Sequence, residues 1–226
     1  MKNQPDQYAG KTSSAMRRFL SGRAGWVAIG LAAAAQLSPA AEVERPPLME
    51  RQREIALAQS ACPASVAAKA AVYVLEASGY VKVRESQNGF TAIVQHALPT
   101  SQEPQCMDAE GTRTFLPRYL KVAELRAQGK SREEIQRFVA DAFAKGIFQP
   151  PARPGIDYML STENLVPDDK GVVAHFPPHL MFYAPFRTNA DLGSEGQSAG
   201  GPAFVAGEGT PQALIIVPVG AHASHE

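Results

Sequence analysis

Several signatures of common protein classes are missing from this chain of 226 residues. It has no glycine-rich phosphate loop, no haem-attachment sequence and no zinc-ribbon pattern of paired cysteines. It holds only two cysteines and one tryptophan, and its 22 basic residues equal its 22 acidic residues in number. These absences argue against nucleotide-loop, c-type haem and zinc-ribbon proteins, and the balanced charge gives no electrostatic footprint for nucleic acid.

The amino-terminal 40 residues have the three parts of a secretory signal. Residues 16–23 are basic, residues 24–37 form an apolar run, and residues 38–40 end that run with small side chains and a proline. This pattern predicts a signal peptide that is cleaved after Ala40 or Ala41. A membrane-spanning helix needs about 20 largely apolar residues, so the shorter run is not expected to remain as an anchor.

Removal of residues 1–40 changes the charge of the chain. These residues hold five of the 22 basic residues and one of the 22 acidic ones, so the mature part has 17 basic and 21 acidic residues and a net charge of −4. Both Met1 and Met16 remain possible translation starts. We expect a periplasmic or secreted protein with no integral membrane segment. Its partner would be a small molecule or an envelope protein, and not nucleic acid.

Cys62 and Cys106 are the whole cysteine complement. An oxidising compartment favours a disulfide between them. Closing a loop of this length stabilises the folded state by about 4 kcal/mol in the chain-entropy model. A reactive thiol is the alternative, but it would need a nearby base that the sequence does not identify. The sequence therefore predicts a structural disulfide.

The mature chain is expected to form one α+β domain over residues 41–220, followed by a disordered tail at 221–226. A short helix over Met49–Ala61 precedes a three-stranded antiparallel meander, in which Asn88-Gly89 gives a strong hairpin signal. A helix pair and further strands follow. The sequence thus predicts an antiparallel sheet of about six strands with helices packed on it. The candidate strands are Ala71–Leu75, Tyr80–Arg84, Phe90–Val94, Ile156–Thr162, His179–Ala184, Ala203–Ala206 and Ala213–Val219.

The helix pair is marked by its terminal residues. Pro117 suits a first helical turn, and Ser131 with Glu134 forms a capping box at the start of the second helix. Gly146 predicts a glycine C-cap, with Ile147 making the accompanying apolar contact. A DNA-reading helix-turn-helix is the alternative, but export and negative charge argue against it. The residues predicted to form the apolar face of the second helix are Ile135, Phe138, Val139, Ala142 and Phe143.

Residues 196–200 match the G-x-S-x-G pattern of serine hydrolases. That chemistry needs a strand before Ser198 and a helix after it, so that the hydroxyl sits on a strained turn. Gly201-Pro202 follows the motif and a polar loop precedes it, so neither element is expected. We interpret this match as chance in a Gly/Ser-rich loop.

The last third of the chain is richest in possible metal ligands. His179, Met181 and Tyr183 share one face of a predicted strand, and Asp157 lies on the neighbouring candidate strand. If those faces pair, imidazole, thioether and carboxylate groups converge, with His175 four residues away. Such a set suits copper, or zinc where the carboxylate contributes. The alternative is a structural core filled by Met and aromatic side chains.

The same region offers a ligand-binding surface. Tyr158, Tyr183, Asn189 and Asp191 combine aromatic rings with polar loop residues, and binding residues concentrate on loops held by a rigid scaffold. A turn in which Asn189 and Asp191 bind the backbone explains the two loop residues equally well. With no catalytic signature, the sequence favours a non-catalytic ligand- or partner-binding module. The alternatives are a metal-binding protein or metal-dependent enzyme using His175 and His179, or a structural envelope subunit.

The segment Asp157–Asn164, together with Val166–Gly171, Phe176–Pro185 and Thr188–Gly193, resembles a family of exported bacterial proteins with no assigned activity. The resemblance implies a bacterial, Gram-negative origin. It implies no ligand, cofactor or catalytic residue.

Overall fold

The structure is a computed structural model that describes residues 45–168, 170–194 and 203–219. The predicted signal peptide (1–40), the motif at 196–200 and the predicted tail (221–226) lie outside these residues. Among the described residues, no helix is both long and apolar enough to cross a membrane.

The described part of the chain contains five α-helices, ten β-strands and a short 3-10 helix at Ala190–Leu192. The helices are α1 (Arg51–Ser60), α2 (Ala64–Ala67), α3 (Ala109–Thr114), α4 (Leu116–Ala127) and α5 (Arg132–Ala144). The strands are β1 (Ala71–Glu76), β2 (Gly79–Arg84), β3 (Thr91–Gln95), β4 (Glu103–Met107), β5 (Ile156–Met159), β6 (Leu165–Pro167), β7 (Val173–His175), β8 (His179–Tyr183), β9 (Phe204–Ala206) and β10 (Leu214–Pro218).

Eight strands form one sheet in the order β2-β1-β3-β4-β5-β8-β10-β9, and β6 pairs with β7 in a separate ribbon. The ladder between β1 and β3 is parallel, whereas the other six ladders of the large sheet are antiparallel. The predicted α+β class is confirmed. The prediction of about six antiparallel strands fits only in part, because the sheet has eight strands and the β1–β3 ladder is parallel.

The predicted hairpin between β2 and β3 does not form. The chain instead turns at Asn88-Gly89 and passes the start of β1. Strand β3 then pairs in parallel with β1, on the side of β1 opposite to β2. Asn88 fixes this path, because its Nδ2 donates to the Val66 carbonyl at 3.0 Å and its Oδ1 accepts from the Phe90 N–H at 3.1 Å. Gly89 has a φ of 80°, a left-handed conformation that glycine adopts without steric cost.

Helix α1 packs on one face of the sheet, which we call the α1 face. The helix begins at a cap in which the Glu50 carboxylate accepts from the N–H groups of Gln52 and Arg53, at 2.9 and 2.8 Å. This satisfies two of the donors that a helix start leaves free. The buried side chains Leu57 and Ala58 pack in a cluster that covers β1, β3 and β4.

A disulfide ties the end of α1 to the middle of the sheet. Cys62 follows the helix, Cys106 lies on β4, and the two are bonded across 44 residues of sequence. The Leu160 N–H, just after β5, also donates to the Ala61 carbonyl at 3.2 Å. The predicted disulfide is confirmed, and it holds the helix against the sheet at the point where β4 meets β5.

The opposite face of the same strands is covered by α3 and α4, and we call it the α4 face. Phe115, Leu116 and Tyr119 pack there against Ile93 and Met107. Proline in the first turn of α4 confirms the predicted start of the first helix of the pair.

Helix α5 begins with the predicted capping box, in which Ser131 and Glu134 each bond the other's backbone. Its apolar face is only partly buried, with Ile135 and Ala142 deepest. The apolar contact predicted for Ile147 was wrong, since Ile147 is 65% exposed. Phe148 takes that role, packing edge-on to Phe138 and Phe143 because its N–H returns to the carbonyl of Ala142.

The remaining strands, β5, β8, β10 and β9, are covered differently. The β6–β7 ribbon lies over their α4 face, where Val166 and Phe176 pack on Met159, Met181 and Ile216. We call β2, β1, β3 and β4 the covered half of the sheet, and β5, β8, β10 and β9 the open half.

Candidate functional site

The candidate metal ligands lie on paired strands in the open half. In the β5–β8 ladder Asp157 stands opposite Met181, and Met159 stands opposite His179. Directly opposed residues in an antiparallel pair point to the same face, so these four side chains share the α4 face. All four are buried. Carboxylate, thioether and imidazole groups therefore do share one face, as the metal hypothesis requires.

The other features of a metal site are not found there. His175 lies on the β7 strand of the ribbon and is exposed, with its Nε2 at 2.8 Å from the Thr162 carbonyl oxygen. His179 Nδ1 lies 2.8 Å from the Pro177 carbonyl oxygen. Over residues 45–168, 170–194 and 203–219, no three His, Cys, Asp or Glu side chains are grouped as a metal ion would require. The two histidines thus bind the backbone, each at a different place.

Asp157 is a buried acid at the junction of the two halves. Its Oδ1 accepts from the Cys106 N–H at 3.0 Å. Burial raises the pKa of the Asp157 carboxyl well above its ordinary value, and the nearby Asp108 carboxylate adds to this effect. A raised pKa weakens a carboxyl group as a metal ligand, because metal binding requires the ionised form.

Tyr183 fills the same region and leaves little room for a ligand. Its ring stacks on Phe115 with 5.2 Å between centroids, and its hydroxyl donates to the Ile156 carbonyl at 3.0 Å. Gly111 and Gly155 both face this ring, and a Cβ atom added at Gly155 would lie 2.5 Å from the Tyr183 Cε2. The absence of side chains at these two glycines lets the backbone approach the ring.

Tyr158 lies on the other face of the sheet from Tyr183. It stands opposite Cys106 and Leu180, on the α1 face, with its ring 6.2 Å from that of Phe90. Since the sheet separates Tyr158 from Tyr183, the four predicted ligand-binding residues do not line one surface.

Asn189 and Asp191 stabilise the loop that contains them. The Asp191 carboxylate accepts from the Thr188 N–H at 2.8 Å. The Asn189 side chain bonds the backbone of Val205 on strand β9: its Oδ1 accepts from the Val205 N–H at 2.7 Å, and its Nδ2 donates to the Val205 carbonyl at 3.3 Å. Both residues therefore have structural partners within the protein.

A second polar site, which the sequence reasoning missed, lies where β1 and β3 diverge. The parallel pair is bonded only at its start. Beyond it, the Glu54 carboxylate accepts from the Leu75 N–H at 2.8 Å, and the Tyr80 hydroxyl donates to the Val94 carbonyl at 2.5 Å. Burial raises the pKa of Glu54 to about 7. These side chains replace missing ladder bonds, which is a structural role.

One sequence signal could have identified Glu54. It precedes Leu57 by three residues and Ala58 by four, so it occupies the buried stripe of α1. An acid on an apolar helix face is expected to find a buried partner. Glu103 and Gln105 on β4 are also buried polar residues. The sequence gave no such signal for them, because strand β4 has neither an alternating pattern nor β-branched residues.

Between β2 and α4 lies a shallow depression of about 340 Å³, with Tyr80, Leu120 and Lys121 among its lining residues. Lys121 Nζ binds the Glu124 carboxylate at 3.0 Å. The depression is open to solvent and its cation is already paired, so it has few of the convergent polar groups that a small-molecule site needs.

Strands β5, β8 and β10 of the open half carry partly exposed apolar side chains on their α1 face. Strand β8 alternates along its length: His179, Met181 and Tyr183 are buried on the α4 face, whereas Leu180 is only partly buried and Phe182 is 38% exposed on the α1 face. The partly buried side chains that stand beside them in the ladders are Ile156, Tyr158, Ile215 and Val217. We call these six residues the open apolar face.

No protein-family model matches the chain, and neither the curated proteins nor the solved structures include a significant match to it.

Proposed function

We propose that this protein is an exported, non-catalytic binding module that takes up an apolar segment of an envelope protein on the open apolar face. One observation carries the proposal: Phe182 and Leu180 lie partly in water on the same strand whose other face is fully buried. Contiguous exposed apolar surface on a soluble domain is typical of an interaction site.

The shape of this surface favours a protein partner over a small molecule. Small ligands bind in concave pockets that enclose most of their surface. The open apolar face is the surface of a sheet with side chains from three neighbouring strands, and Tyr158 at its margin packs against the cluster beneath α1. A broad apolar centre with aromatic side chains is the usual anatomy of a protein–protein contact.

Export is part of the proposal and has two supports. The sequence pattern of residues 1–40 is that of a signal peptide, and the Cys62–Cys106 disulfide suits an oxidising compartment. The proposed site residues are those of the open apolar face, of which Tyr158 was also indicated by the sequence.

Photo-crosslinking in cells tests the proposal. A photoreactive phenylalanine analogue is placed at position 182 in one strain and at position 81 in another. Val81 is the matched control, because it is also 38% exposed but lies on edge strand β2, away from the open apolar face. We expect a discrete crosslinked protein from position 182 only.

The crosslinked protein is then purified and its affinity measured by calorimetry. We expect Phe182→Glu to weaken binding at least tenfold, or about 1.4 kcal/mol, and Val81→Glu to leave it unchanged. The same adducts from both positions, or unchanged affinity of the folded Phe182→Glu variant, would contradict the proposal.

A further inference from the structure

The chain makes a tight turn directly after β8, at residues 184–187. The Arg187 N–H donates to the Ala184 carbonyl at 3.1 Å, which closes a four-residue β-turn. Pro185 occupies the second position, where its ring fixes a negative φ. Phe186 occupies the third position with a φ of 65°. This combination is that of a type II turn, whose third position is usually filled by glycine or asparagine.

Phe186 is the exception in this backbone conformation. Over residues 45–168, 170–194 and 203–219, the residues with a positive φ are eight glycines and Phe186. In the left-handed region a Cβ atom lies too close to the following carbonyl oxygen, so a bulky side chain strains the backbone there. The described part of the chain thus uses glycine wherever else it needs this conformation.

The side chain of Phe186 does not offset this strain by packing. It is 58% exposed, so the larger part of the residue is in water. Single exposed apolar side chains are common on protein surfaces, but this one also strains its own backbone. Backbone strain of this kind is concentrated in segments that bind other molecules.

The turn is held in place on both sides of the ring. The Phe186 N–H donates to the Thr210 carbonyl at 2.8 Å, and the Gly209 N–H donates to the Arg187 carbonyl at 3.0 Å. These bonds attach the turn to the loop that precedes β10. A side chain on a fixed backbone loses less freedom when it binds, and rigid aromatic side chains are typical anchors of protein–protein contacts.

We infer that Phe186 is an aromatic anchor for the apolar segment that the open apolar face takes up. This inference rests on the proposed function and adds a residue to its site. Phe186 follows Phe182 by four residues, which span at most about 14 Å, and one short peptide segment is longer than that. Phe182, Phe186 and Leu192 are all among the large apolar side chains that are exposed, so such side chains are concentrated just after β8.

The strain at Phe186 is tested first, without a partner. Glycine and alanine are each placed at position 186 and, as a control, at position 172, because Val172 is 60% exposed and has no positive φ. Glycine should give the higher thermal midpoint at position 186, by about 3 °C, since it adopts the positive φ freely. Alanine should give the higher midpoint at position 172. A higher midpoint for alanine at both positions would overturn the inference.

Binding is tested with the photoreactive phenylalanine analogue at position 186. We expect the same crosslinked protein as from position 182, and none from position 172. In calorimetry with that protein, Phe186→Gly should weaken binding at least tenfold, although it relieves the turn. Phe186→Tyr should retain the affinity, because the aromatic ring is kept.

Two results separate this inference from the proposed function. A crosslinked protein from position 182, together with wild-type affinity of the folded Phe186→Gly variant, would overturn the inference alone. The absence of a crosslinked protein from both positions would overturn the inference and the proposed function together.

Discussion

The covered and open halves of the sheet differ in what lies on their two faces. The covered half is enclosed by α1 on one face and by α3 and α4 on the other. The open half has the β6–β7 ribbon on its α4 face, while Phe182 on its α1 face is partly in water. One continuous sheet therefore combines a region enclosed on both faces with a region whose α1 face leaves apolar side chains partly exposed.

The Cys62–Cys106 disulfide should make the largest contribution to the difference in stability between the two halves. It joins α1 to β4 within the covered half and closes a loop across 44 residues. Replacing both cysteines by serine should lower the free energy of unfolding by about 4 kcal/mol, chiefly because the unfolded chain gains freedom. Urea denaturation measures this change. Wild-type protein kept reduced should give a similar value, and an unchanged midpoint in both samples would contradict the prediction.

A pair of leucine substitutions compares the two halves directly. Leu57 is 1% exposed beneath the covered half, and Leu180 is partly exposed on the same face of the open half. Leu57→Ala should cost about 3 kcal/mol, because it leaves a cavity in a closed core. Leu180→Ala should cost about 1 kcal/mol, because part of the side chain already contacts water. Equal costs in chemical denaturation would mean that the open apolar face is covered in the folded protein.

A smaller, pH-dependent difference should come from Glu54 in the covered half. Its pKa of about 7 in the folded state exceeds the ordinary value of 4.5 because the carboxyl is buried. The folded protein thus keeps a proton that the unfolded chain releases, so this contribution to stability is complete below pH 4.5 and is lost as the pH rises to 7.

Glu54→Gln removes this dependence and keeps an oxygen that accepts from the Leu75 N–H. We expect the variant to match the wild type near pH 4 and to be more stable by about 3 kcal/mol at pH 8. Burial also lowers the pKa of His96 and raises that of Glu103. Both groups are present in both proteins, so their effects cancel in the difference. Parallel stability curves from pH 4 to 8 would contradict the burial argument.

The elements that local chemistry determines were predictable from the sequence. The capping box of Ser131 and Glu134 depends on side chains that bond nearby backbone. The first turn of α4 suits Pro117 because proline has a fixed φ and no N–H to satisfy, so short patterns were sufficient for both helices. Strands β8, β9 and β10 were also recognised, because β-prone residues lie between turn signals.

The elements that distant contacts determine were not predictable. Strand β4 contains Glu103, Pro104 and Gln105, and it is a strand because β3 and β5 flank it. The Asn88-Gly89 turn favours a hairpin locally, but bonds to Val66 and to the start of β1 direct β3 elsewhere. The opposite orientations of Tyr158 and Tyr183 likewise follow from strand register, which a single sequence does not specify.

The small contact between β4 and β5, where the two halves meet, affects the order in which the chain can fold. Strands β4 and β5 meet at only two register pairs, Cys106 with Tyr158 and Met107 with Asp157. Every element of the covered half, including both layers of helix, lies between residues 51 and 127. A chain that folds from its amino end can therefore complete that half before β5 joins the sheet. The covered half then serves as the template on which the later strands assemble, and the edge of β4 stays open until β5 pairs with it.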